Sequence, residues 1–127
     1  MRHLRWTLLL AALLAGAGTP SLAQKATEIY IPLGQSPGLS GKHTLMGPIE
    51  SIDASDRSMT VAGPGGTPVK VRPGPQAQVW LDYSRLKQSN RKGSYTDYRK
   101  GLMVEVKFHD NDRQAGVVEW VKVQMAP

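Results

Sequence analysis

Two clusters of proline and glycine, Gly63-Pro64-Gly65-Gly66 and Pro73-Gly74-Pro75, stand six residues apart in a chain of 127. Proline lacks the amide proton that a helix interior or a central strand uses, and glycine loses the most backbone freedom on folding, so both clusters mark turns. Only a short strand fits between them, and Pro68 to Arg72 has the pattern: Val69 and Val71 alternate with Lys70. The same reading divides the chain on either side. Thr44 to Asp53 is a first strand with a bulge near Gly47-Pro48, because Leu45, Ile49 and Ile52 break a strict period of two. Ser58 to Ala62 carries Met59 and Val61 on one face. Gln76 to Asp82 sets Val79 and Leu81 against Trp80, and Ala115 to Met125 closes the series with Val117, Val118, Val121 and Val123.

The clearest alternation starts after Gly101. Leu102, Val104, Val106 and Phe108 interleave with Met103, Glu105, Lys107 and His109, which predicts a strand with one apolar face and one solvent-facing polar face. On that parity Glu105→Gln is expected to cost well under ~1 kcal/mol. Residues 83–100 break the pattern, with one or two helical turns at Tyr83 to Ser89 and a polar loop after them. Short strands between Gly/Pro turns indicate an all-β fold, and connections too short for helical crossovers indicate antiparallel pairing. The expectation is a small antiparallel barrel of five to six strands, like the oligonucleotide/oligosaccharide-binding (OB) barrel, with one short helix or long loop near 83–100.

The N-terminus reads differently. Arg2 and Arg5 precede an apolar run from Trp6 to Ala17, Thr19-Pro20 interrupt it, and Ser21-Leu22-Ala23 places small residues at a cleavage site. This is the tripartite pattern of a secretory signal peptide at 1–23, and its apolar run of about a dozen residues is short of the ~20 needed to span a bilayer. Cleavage would leave Gln24 at the start of a Gly/Pro-rich arm, 24–43, with an edge strand at 28–31, ahead of a β-barrel domain at 44–127. The expected location is the periplasm or the medium, with no transmembrane segment after cleavage. Without cysteine the chain has no disulfide, no thiolate metal site and no cysteine nucleophile. Its formal charge is +6, of which Arg2 and Arg5 belong to the leader.

From Gly47 to Val123 the layout resembles a family of small exported bacterial OB-like β-barrel domains of unknown function. The matching stretches are Gly47 to Asp53, Ser58 to Val61, Val69 to Val71, Lys100 to Val106 and Val118 to Val123. The resemblance implies a β-barrel and export, and it transfers no catalytic residue.

Three motif-like stretches fail on chemistry. Gly34-Gln35-Ser36-Pro37-Gly38 has the text of a serine nucleophile elbow, but the oxyanion hole needs an amide proton from the residue after the serine, and that residue is Pro37. Ser36 to His43 lacks the first glycine and the final Ser/Thr of a phosphate loop. Asp110-Asn111-Asp112 lacks the later ligands of a calcium loop, having Gln114, Ala115 and Val121. No catalytic residues, no metal ligands and no cofactor are assigned. The alternatives held open are a periplasmic copper-binding carrier using His43 with Met46 or other methionines, since thioethers and imidazoles suit Cu(I), and a small hydrolase.

The best binding candidates are cations interleaved with aromatics: Tyr83, Arg85, Arg91, Lys92, Tyr95 and Tyr98. Trp80 and Trp120 join them, each opposite the apolar side chains of its strand. They read either as a second cluster under the arm or the 83–100 loop, or as an exposed patch that docks a partner. The function expected is a non-catalytic binding or adaptor domain of the bacterial cell envelope. Its partner would be an unknown envelope protein or an anionic envelope component, and export argues against nucleic acid as the natural ligand.

Overall fold

The computed structural model describes residues 27–126, and the expected signal peptide at 1–23 lies outside them. The described chain is all-β. Seven strands make one mixed sheet: β1 (Thr44–Asp53), β2 (Ser58–Ala62), β3 (Pro68–Val71), β4 (Gln78–Asp82), β5 (Arg91–Lys92), β6 (Met103–Phe108) and β7 (Val118–Gln124). Their order across the sheet is β3-β2-β1-β6-β7-β4-β5. Every strand read from the alternation is present, and β5 is an addition inside the segment read as loop. The rest of 83–100 forms two single 3-10 turns, Ser84–Leu86 and Tyr95–Asp97.

Two expectations are corrected. The sheet is not a closed barrel: β3 and β5 end the order and do not pair with each other. Pro73 and Pro75 stop the ladder after β3, and β5 is only two residues long. Pairing is also not wholly antiparallel. β4 lies parallel to β7, with Gln78 beside Trp120 and Leu81 beside Val123. A parallel neighbour needs a crossover of a dozen or more residues. Residues 83–117, which include β5 and β6, supply it.

One face of the sheet holds the core. Leu45 and Ile49 (β1), Met59 and Val61 (β2), Val71 (β3), Leu81 (β4), Val104, Val106 and Phe108 (β6), and Val118, Val121 and Val123 (β7) pack in a single cluster with Tyr98. Side chains from β3 and β4 meet in it although these strands are far apart in the sheet order, so the sheet curls around its apolar side. The bulge in β1 falls between Ile49 and Ser51 rather than at Gly47-Pro48. Gly47 has another role. A methyl group there would stand 1.7 Å from the carbonyl oxygen of Ala62, so β1 and β2 approach each other through the missing side chain.

The arm is also corrected. Residues 28–31 form no strand: Tyr30 N–H bonds to the Thr27 carbonyl at 2.9 Å and Ile31 N–H to Glu28 at 3.1 Å, a helical turn. Turns continue to His43, and the arm lies over the second face of the sheet. Two substitutions test this frame. Val106→Asp places a charge in the core and should cost about 4 kcal/mol, and Gly47→Ala should cost about 3 kcal/mol by forcing β1 from β2. Urea unfolding midpoints check both.

Candidate functional site

The second face is polar in sequence and buried in fact. Met46, Glu105, Lys122 and Trp80 form a row across β1, β6, β7 and β4. Glu105 is 0% exposed and Lys122 1%. The arm supplies their partners. Lys122 Nζ donates to Glu28 Oε1 at 2.9 Å, to the Ile31 carbonyl at 2.9 Å and to Ser36 Oγ at 3.0 Å, which uses all three of its protons. Ser36 Oγ in turn donates to Glu28. The Glu105 carboxylate accepts from the Gly34 amide at 2.9 Å, Ser40 Oγ at 2.5 Å and Thr44 Oγ1 at 2.8 Å. Asp82 accepts the Leu33 amide at 2.7 Å and the Ser84 amide at 2.8 Å. Burial alone would raise the Asp82 carboxyl, but these bonds and the nearby Lys122 charge outweigh it and hold the group below its ordinary 3.8. Asn90 completes the set, with its amide nitrogen bonded to the Ile29 carbonyl at 2.9 Å and its oxygen to the Tyr83 amide at 2.8 Å.

Beside this strap lies a cleft of about 690 Å³. Trp80 and Trp120 form its floor, stacked with ring centroids 5.4 Å apart. Lys122 Nζ stands 4.8 Å from the Trp120 ring, so the indoles are held between the arm's anchor and the cleft. Both are buried, which makes them a second cluster under the arm rather than an exposed docking patch. Tyr30, 63% exposed, lies on the arm side of the rim. Gln76, Gln78, Arg91 and Lys92 line the cleft too, all exposed. The Arg91 guanidinium sits 4.3 Å from the Tyr83 ring, which limits its rotation.

The sequence-based candidates therefore divide. Trp80, Trp120, Arg91 and Lys92 line one cleft, and Tyr83 braces Arg91 from below. Arg85 is exposed on the 3-10 turn and is not among the lining residues. Tyr95 and Tyr98 line a different cleft, of about 750 Å³, with the β1–β2 turn and the Arg72–Pro75 link. There the Asp56 carboxyl is held well below the usual range by Ser58, Arg72 and Lys70, with both cations 3.0 Å away. Tyr30, Gln76 and Gln78 were missed. The alternation that opposes Trp80 to Val79 and Leu81 also puts Gln76 and Gln78 on the Trp80 face, a signal that was available, whereas only the arm's docking brings Tyr30 to β4.

Among the described residues no three of His, Cys, Asp and Glu gather as a metal site. His43 and His109 are exposed, Met59 is in the core and Met46 lies half-buried beneath Gly34 and Gly41. No helix of the described residues is long and apolar enough to cross a membrane. Compared with known proteins, the chain matches no family model, no curated protein and no solved structure.

Glu105 does not face solvent, and its replacement is not neutral. Glu105→Gln removes a charge that three donors surround and should cost about 1–3 kcal/mol, whereas Glu50→Gln on the exposed part of β1 should cost almost nothing. Urea unfolding at pH 7 compares them. Asp82 has a lowered folded-state pKa, so its contribution is present above its ordinary value and is lost as the pH falls through the lowered one. Between pH 5 and 2 the stability of Asp82→Asn should therefore decline less steeply than that of the parent chain, as followed by melting temperature.

Proposed function

We propose that this chain is an exported, non-catalytic binding module of the bacterial cell envelope, and that it holds an anionic envelope component in the cleft between Tyr30 and Arg91-Lys92. One observation carries the reading: a single concavity joins an apolar floor, two exposed cations, two free-standing glutamine amides and an exposed aromatic ring. Its volume falls within the roughly 300–1,000 Å³ of ligand sites. An anionic chain bearing hydroxyls finds a counter-charge in Arg91 and Lys92 and hydrogen-bond partners in Gln76 and Gln78. The leader-like segment at 1–23 supports export to a compartment where such molecules occur.

The same reading takes the fold as an opened OB-like barrel related to the small exported domains. Only Arg72 to Ala77 separate β3 from β4. Taken as one strand bent at Pro73 and Pro75, they make the pairing order cyclic, which is the plan of a partly open Greek-key barrel.

Co-sedimentation with isolated cell envelopes tests the function, with phosphatidylglycerol vesicles and alginate as defined anionic probes. The double variant Arg91→Glu/Lys92→Glu should lose at least tenfold in binding, and Arg85→Glu should stay near the parent. Equal binding by all three proteins overturns the assignment.

A further inference from the structure

The second cleft carries an inference independent of the first. Tyr98 lines it and is 4% exposed, and its hydroxyl is the one buried side-chain polar atom among the described residues without a hydrogen-bond partner. Such a group costs stability unless something completes it, and a phenylalanine would fill the same space without that cost. Pro73, Pro75, Ala77 and Val79 give the cleft an apolar wall, and Ser55, Asp56, Arg57, Arg72 and Ser94 line its polar side. Tyr95 packs edge-on against Tyr98, with centroids 5.5 Å apart, and is half-exposed. Its own hydroxyl makes two long bonds, 3.2 Å to the Asp53 carbonyl and 3.4 Å to that of Ser58, which a rotamer change releases at little cost. Above it, the Arg57 guanidinium stands 5.4 Å from the ring centroid. Arg57 has no carboxylate partner among the described residues. The Asp56 carboxylate on the same rim is already neutralised by Lys70 and Arg72.

We propose that this cleft is a binding site for a small aromatic carboxylate that carries a second oxygen at the far end of its ring. The carboxylate pairs with Arg57 at the mouth. The ring lies against the proline, Ala77 and Val79 walls, with Tyr95 turned aside. The distal oxygen accepts the hydrogen bond that Tyr98 lacks. A lone ordered water on the hydroxyl is the competing account, and it predicts no ligand.

The probes are 4-hydroxybenzoate and benzoate, titrated into the isotope-labelled protein and followed by amide chemical shifts. Both should shift Arg57, Gly74, Gly93 and Ser94, and 4-hydroxybenzoate should bind about fivefold more tightly, the worth of one neutral hydrogen bond. In Tyr98→Phe that difference should vanish while benzoate affinity holds. In Arg57→Gln, whose side chain lies at the surface, both should weaken by at least fivefold, with their ratio kept. The proposal is overturned if neither compound shifts those amides at 10 mM, or if the fivefold preference survives in Tyr98→Phe. The tryptophan-floored cleft serves as the internal control, because its amides at Tyr30 and Trp120 should not move.

Discussion

The arrangement of this protein depends on two opposite charges, Glu105 and Lys122, buried side by side on neighbouring strands and each bonded to the arm rather than left to the solvent. An unpaired buried charge costs several kcal/mol, so the sheet's second face is stable only while residues 28–40 cover it. That requirement decides the rest. It places Ser36 and Glu28 over β7, draws Leu33 to Asp82, and fixes the turn that brings Ile29 and Tyr30 to the edge of β4 and β5. The tryptophan-floored cleft lies where Ile29 and Tyr30 meet these strands.

Most of the strand plan was legible in the sequence, because alternation and Gly/Pro punctuation act within a few residues. Pro68–Val71 and Met103–Phe108 could be read directly for that reason. Glu105 and Lys107 were misread as solvent-facing for the opposite reason: what buries Glu105 is a segment some 65–71 residues earlier in the chain, and no local pattern announces it. The parallel pairing of β4 with β7 was hidden in the same way. It follows from the path through 83–117 and leaves both strands with apolar runs that fit either direction. The candidate site was half legible. Arg91, Lys92 and the two tryptophans stood out by type, the glutamines share the Trp80 face by strand parity, and Tyr30 depends wholly on docking.

The two clefts use the ends of the sheet differently. One lies where the arm meets β4, β5 and β7, with cations exposed and the two tryptophans buried. The other lies where Pro73 and Pro75 interrupt the ladder, with a phenol sealed at its floor and a guanidinium at its rim. Both sit at places where backbone pairing stops, which is where a β-fold leaves room for something other than itself.

The ion pair between Lys122 and Glu28 joins residues 94 positions apart. Until the final strand has emerged, the cover over the second face has nothing to fasten to, and contacts of such long range form slowly. A chain built this way stays loose until β7 has joined β6, and it locks only then. β7 thus acts as the latch of the whole assembly: a product cut short ahead of it would carry an unanchored flap and lie open to proteolysis.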